Sequence, residues 1–270
     1  MGEALSLRLA IVGWGALARR LVELIAQAGL KVELIAIGLR EDAPRSADLP
    51  VSVRVLTAPE QLQGLAIDLV VETARREVVR DWGIAALRYA KAFAPASTSA
   101  FVDEDCLQKL QAIAKAHGSR LLIFPGALAG VDALKAAAYL DLDFVRHIII
   151  KPVASWRGTL AEQSLNLDEI SEPTEFFSGA ARQAARDYPQ NANVAVISAL
   201  AGIGLDATQI VLIADPQATL NAHRIEARGA FGELKVEIAN RPLSTNPKTS
   251  QMTALALLRL IENEMGQLMI

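Results

Sequence analysis

Between Leu7 and Val12 almost every position is apolar, and after the turn residues Gly13-Trp14-Gly15 the apolar positions Leu17, Leu21, Leu24 and Ile25 recur at helical spacing. That pattern predicts a strand, a tight turn and an amphipathic helix. Gly29 is placed to end the helix, and Val32 to Ile37 reads as a second strand, so a βαβ unit is complete by about residue 38. Further strands are predicted at Val51 to Val55, Leu69 to Val71, Ala92 to Ala94 and Leu121 to Phe124, with helices over Val78 to Ala90 and Leu107 to His117. The alternation points to an α/β fold, a doubly wound parallel sheet of Rossmann type over the first 125 or so residues.

Past Pro125-Gly126 the order changes. A helix is predicted near Val131 to Leu140, a β-rich stretch over Val145 to Ser155 and a helix through Phe176 to Arg186. A helical run from Val194 to Ala201 and strands at Gln209 to Ala214 and His223 to Ile238 follow. Asn246-Pro247-Lys248-Thr249-Ser250 then reads as the cap of a last apolar helix, Met252 to Ile261. This mixture predicts a second, α+β domain whose sheet need not be parallel.

Composition narrows the classes. The chain has 270 residues, 52% hydrophobic and 21% charged, enough to bury a sizeable core. A net charge of −3 with both signs interspersed gives no basic stripe for nucleic acid or for an anionic membrane. No apolar stretch reaches about 18 residues, which argues against a membrane span. Cys106 is the one cysteine, so no intrachain disulfide forms, no Cys-rich metal site is expected, and a cytoplasmic protein without metal is the expectation.

Candidate chemistry begins in the first turn. Gly13-x-Gly15-x-x-Ala18 follows a strand and opens a helix: Gly13 suits a tight turn, Gly15 lets a pyrophosphate approach, and Ala18 is small enough for close packing. Backbone N–H groups at Ala16 and Leu17 would then face the phosphates. The end of the second strand reads Ile37-Gly38-Leu39-Arg40, without the carboxylate that selects NAD, so NAD or NADP is expected; Arg40 either pairs with a 2′-phosphate or is simply solvated. Thr73, Ala74 and Ser97 end predicted strands on the side where a dinucleotide lies in such sheets. Of three histidines, His117 sits at a helix end, His147 in a β run reads as packing, and His223 opens a strand, where an imidazole suits proton transfer near neutral pH.

The motifs of the second half carry a resemblance. Gly126-Ala127-Leu128-Ala129-Gly130-Val131-Asp132, Lys151-Pro152 with Trp156-Arg157-Gly158-Thr159, Asn191-Ala192-Asn193-Val194-Ala195-Val196, and Leu200 through Asp206 resemble successive signatures of the L-aspartate dehydrogenase family. So do Ala214-Asp215-Pro216, Asn221-Ala222-His223, Gly229-Ala230-Phe231-Gly232 and Asn246-Pro247-Lys248-Thr249-Ser250, all in order. The resemblance implies NAD(P)-dependent deamination of L-aspartate through iminoaspartate to oxaloacetate and ammonia, and the reverse, with iminoaspartate feeding NAD biosynthesis. It implies His223 as the catalytic histidine and Ala127 and Asn193 as dinucleotide contacts. It further implies an architecture similar to dihydrodipicolinate reductase: a Rossmann domain over residues 1–125, a substrate and dimerisation domain with an open sheet over 126–245, and a C-terminal segment, 246–270, returning to the first domain.

Two substrate carboxylates need cations or donors when buried, and Lys151, Lys248 and the Thr249 hydroxyl are the candidates, although Thr249 or Ser250 beside a helix start also suits a cap. Two other readings stay open at this point: a different reductase of dihydrodipicolinate or homoserine dehydrogenase type, and a dinucleotide sensor without catalysis.

Overall fold

The structure, a computed structural model, describes residues 6–42, 47–50, 52–189 and 193–266, with Pro247 described by its backbone alone. Val51, Asn191 and Ala192, which entered the expectations above, lie outside those residues. The chain divides into two compact units, one built from the chain up to Phe124 together with the segment from Ala254, the other from Pro125–Thr253.

The first unit runs β1 (Leu7–Val12), α1 (Ala16–Gln27), β2 (Val32–Gly38), β3 (Arg54–Leu56), β4 (Ile67–Glu72), α2 (Arg76–Tyr89), β5 (Ala90–Pro95), α3 (Glu104–His117) and β6 (Arg120–Leu121). All six strands are parallel, in the order β3-β2-β1-β4-β5-β6. Parallel strands are covered on both faces, which is why Leu9, Ala10 and Ile11, like Leu69, Val70 and Val71, are all buried without alternation. Helix α1 buries Leu21 and Ile25 of the expected stripe against them, together with Ala18; Leu24 is buried too, and the expected Leu17 packs there only partly buried. The sheet order places β1 and β4 side by side although β2 and β3 lie between them in the chain. Their carboxyl ends therefore bound the crevice typical of such sheets.

Two strand expectations shift here. The strand expected over Val51 to Val55 is β3, which starts at Arg54 because its partners are Ala36 to Gly38. Of Leu121 to Phe124 only Leu121 belongs to β6, whose ladder to β5 stops at Phe93.

The second unit begins with α4 (Val131–Ala137), β7 (Leu142–Pro152), α5 (Ala161–Ser164), β8 (Thr174–Ala180), α6 (Ala181–Asp187) and α7 (Asn193–Ala201). It continues with β9 (Gln209–Asp215), β10 (Asn221–Gly229), β11 (Gly232–Asn240), β12 (Pro242–Leu243) and β13 (Asn246–Ser250), and α8 (Gln251–Met265) begins within it. The five-stranded sheet has the order β11-β10-β7-β9-β8, with β7 and β9 parallel and the other pairs antiparallel.

Four expectations are corrected. The β-rich stretch over Val145 to Ser155 starts earlier, at Leu142, and ends at Pro152 in a 3-10 turn over Val153–Trp156. The helix expected from Phe176 starts at Ala181, because Phe177 and Ser178 pair with Leu212 and Val211 of β9. The single run from His223 to Ile238 is a hairpin, β10 and β11, turning at Ala230-Phe231. The Asn246–Ser250 segment, expected to cap the last helix, is itself a strand paired to β12, and α8 follows it directly from Gln251.

Candidate active site

In the first unit the carboxyl edge of the sheet gathers most of the residues expected to hold a dinucleotide. Gly13 has φ +94°, and a Cβ there would lie 2.8 Å from Cβ of Ala74, so both conformation and space demand glycine. Gly15, by contrast, faces open space, with no atom within 4 Å of a Cβ placed on it. Helix α1 opens from Gly15 with no side-chain cap and no acidic residue in its first turn, leaving its first N–H groups, Ala16 and Leu17 among them, for an anion. Thr73 clamps this turn: its N–H donates to Val12 O at 2.8 Å, and its hydroxyl lies 3.2 Å and 3.3 Å from the carbonyls of Val12 and Gly13. These features fit a dinucleotide pyrophosphate.

Glu72 was not singled out from the sequence, and it organises the same edge. It ends β4 fully buried, its carboxyl accepting from the N–H of Ala74 at 2.6 Å and from the N–H and hydroxyl of Ser97, each at 3.0 Å. Two loops after neighbouring strands are thereby tied to one side chain. Burial pushes this carboxyl up to about 7 against the lowering effect of those hydrogen bonds. The signal in the sequence is an acidic residue closing an apolar strand, Leu69-Val70-Val71-Glu72. Arg40, two residues past β2, is largely exposed and lies 3.6 Å from Asp42.

The second unit holds a different constellation. Strand β10 alternates strictly, with Asn221, His223, Ile225 and Ala227 buried on one face. His223 is opposite Ile149 of β7, and His147 is opposite Ile225, so the two histidines are diagonal neighbours on that face. His147 Nε2 lies 3.3 Å from His223 Nδ1, and His147 Nδ1 lies 2.9 Å from the Ser198 hydroxyl of α7. The expectation that His147 serves packing is thus incomplete, because it hydrogen-bonds the candidate catalytic residue.

Lys151 projects from the same side of β7, 4% exposed and 5.9 Å from the centre of the Trp156 ring. Burial first, and the ammonium of Lys248 second, lower Lys151 to about 7. Burial likewise holds His147 at about 3, with Lys151 adding to the effect; burial, His147 and Lys151 hold His223 well below the ordinary imidazole range. Both imidazoles are neutral near pH 7. Around Lys248 the β13 segment is ordered by Asn246, whose side chain accepts from the Lys248 N–H at 3.1 Å and donates to the Thr249 hydroxyl at 3.1 Å. Ala127 is buried with its carbonyl accepting from Asn240, and Asn193 opens α7. Among the described residues no group of His, Cys, Asp and Glu is arranged to hold a metal ion, and no helix is long and apolar enough to cross a membrane.

Comparison with known proteins adds three kinds of likeness. Residues 132–264 match the family model described as aspartate dehydrogenase, C-terminal, and residues 13–124 match that of the homoserine dehydrogenase NAD binding domain. The L-aspartate dehydrogenase of Brucella anthropi is 49% identical over 256 residues, covering 95% of this chain and 96% of that protein. The aspartate dehydrogenase of Thermotoga maritima superposes with a TM-score of 0.75 at 24% identity, covering 98% of this chain and all of that one. A dipicolinate-bound dihydrodipicolinate reductase from a Paenisporosarcina species gives 0.54 at 18%, covering 97% and 95%. The two structural likenesses speak for the fold.

Proposed function

The chain belongs to the L-aspartate dehydrogenase family, and from that premise we propose how its residues share the work of deaminating L-aspartate. It is an oxidoreductase that uses NAD or NADP, and its substrates are L-aspartate in one direction and oxaloacetate with ammonia in the other. A nicotinamide dinucleotide, when bound, takes the hydride from the α-carbon. Gly13, Gly15 and the N–H groups of Ala16 and Leu17 hold its pyrophosphate, with Thr73, Ala74 and Ser97 lining the same edge. Arg40 is assigned to pair with a 2′-phosphate when NADP is used, and Ala127 and Asn193 to the dinucleotide contacts that the family resemblance implies.

The observation that carries the reading is the group of His147, His223 and Lys151 on one sheet face, with the Lys248 ammonium acting on Lys151. A carboxylate brought beside the buried Lys151 favours its charged form. A dicarboxylate supplies two negative charges, so Lys151 and Lys248, with the Thr249 hydroxyl, are assigned to its carboxylates. His223, neutral near pH 7, is the proton acceptor for the water that attacks the imine carbon. The iminoaspartate formed in the cytoplasm would feed NAD biosynthesis. The homodimer is assigned to the sheet face opposite the histidines, where Phe144 is exposed and Arg224 pairs with Glu237 at 2.9 Å; light scattering that finds a monomer removes that assignment.

The test is NADH and NADPH oxidation with oxaloacetate and ammonium, run beside His223→Ala. Ammonium-dependent turnover falling about 10²–10⁴-fold in the variant, with dinucleotide binding intact, is the expected result. Loss of dinucleotide binding instead moves His223 to a structural role.

A further inference from the structure

The side chains behind His223 form one hydrogen-bonded chain. A serine hydroxyl has a single proton to give; Ser198 Oγ lies 3.1 Å from the carbonyl of Ala195 in the same helix, which can only accept, and 2.9 Å from Nδ1 of His147. With that proton on the Ala195 carbonyl, the Ser198 oxygen accepts from His147, and Nδ1 of His147 carries the hydrogen. A neutral imidazole has one N–H, so Nε2 of His147 offers a lone pair to its 3.3 Å partner, and Nδ1 of His223 must be the donor. What remains on His223 is Nε2, with a lone pair and no partner among the described residues. Every member of this chain is buried: His147 and Ser198 fully, and His223 to within 2%.

We propose that His147 and Ser198 are positioning residues that hold His223 in its Nδ1–H tautomer, presenting a bare Nε2 as the proton acceptor of the deamination. The proposal rests on the reading of His223 given above. In the step it serves, the water oxygen forms a bond to the carbon of the iminium left by hydride loss from the neutral amine, the C=N π pair withdraws to the positively charged nitrogen and neutralises it, and the water proton goes to Nε2 of His223, giving the carbinolamine from which ammonia departs. The imidazolium so formed keeps its Nδ1–H on His147, a hydrogen bond that strengthens as the donor becomes charged. His147 stays neutral, because its second nitrogen already donates to Ser198. The opposite chain, in which Ser198 donates to His147 and His147 donates to His223, would leave Nε2 of His223 protonated and useless as a base. The two chains differ in whether the Ser198 hydroxyl proton goes to the Ala195 carbonyl or to His147, and the proposal takes the first.

Nitrogen-15 imidazole correlation spectra of the full-length protein at pH 7.5 read this directly, since the chain has only three histidines and His117→Gln removes one signal set for assignment. The expected result is the Nδ1–H pattern for both His147 and His223. An Nε2–H pattern for His223, or an average of the two tautomers, overturns the proposal. Kinetics supply a second arm. His147→Gln, which keeps an acceptor oxygen toward His223, is expected to retain at least about tenfold more kcat than His147→Leu, which is expected to fall about 10²-fold, while KM for the dinucleotide stays within about twofold in both. Ser198→Ala is expected to let His223 populate both tautomers in the spectra. Equal loss of kcat in the Gln and Leu variants counts against positioning. A wild-type protein without aspartate turnover defeats the functional reading instead, and the tautomer spectra stand apart from that outcome.

Discussion

Lys151 is held near 7 because it is buried and because Lys248 acts on it, so at pH 8 most of the free enzyme carries it as a neutral amine. A carboxylate brought beside it favours the charged form and lifts it toward the ordinary lysine value near 10.4. The sign follows: binding a dicarboxylate at pH 8 takes up a proton, about one per site, and affinity weakens about tenfold per pH unit above 7 until the bound form also titrates. Succinate keeps both carboxylates and lacks the amine, so calorimetry of succinate binding in phosphate and in Tris reads this uptake without turnover. Lys151→Gln should abolish the buffer dependence and weaken binding. Uptake unchanged in that variant would pass the role to another group. Nothing around Lys151-Pro152 in the sequence announces a buried amine; its state comes first from burial within the fold and then from Lys248, which follows almost a hundred positions later.

At the scale of elements the two glycines of the first turn do different work. Gly13→Ala places an L-residue at φ +94° and drives Cβ into Ala74, which should cost at least about 1–2 kcal/mol of stability along with dinucleotide binding. Gly15→Ala has φ −91° and open space before it, so it should melt like the wild type and still bind dinucleotide at least about tenfold more weakly, because the new methyl occupies the phosphate's approach. Thermal melts and fluorescence titration with NADH separate the two; native affinity in Gly15→Ala would take the pyrophosphate away from this turn. This βαβ unit was legible because period, glycines and strand composition agree locally. Farther on they do not. Phe176-Phe177-Ser178-Gly179-Ala180 is a short apolar run that suits helix or strand, and only its pairing with β9, more than thirty residues later, decides for β8. His147 was opaque for the same reason: it sits in Arg146-His147-Ile148-Ile149-Ile150 like any buried strand residue, and its partner His223 comes from another strand, 76 positions on. His223 itself was legible through the order of motifs around it, since its place on a strand says little.

For the whole molecule, chain order and unit membership differ, and the first unit is finished only by the end of the chain. Leu257 and Ile261 of α8 are fully buried in the same cluster as Leu9, Ile11, Leu21 and Leu69, and Glu264 of that helix pairs with Arg120. A core that draws two fully buried side chains from α8 cannot reach full density until that helix has packed. Leu257→Ala and Ile261→Ala should each destabilise the first unit by about 2–5 kcal/mol, the usual range for emptying a well-packed site. The core of the second unit uses neither residue. Hydrogen exchange followed by mass spectrometry should therefore show protection lost first over β1, β2 and β4, with β7, β9 and β10 keeping theirs. Dinucleotide added in excess should restore the lost protection, since it binds the folded first unit and not its unfolded form. Equal loss across both groups of strands would mean that the two units unfold as one cooperative block, and that the last helix supports the strands carrying the candidate His223 as directly as it supports the glycine turn.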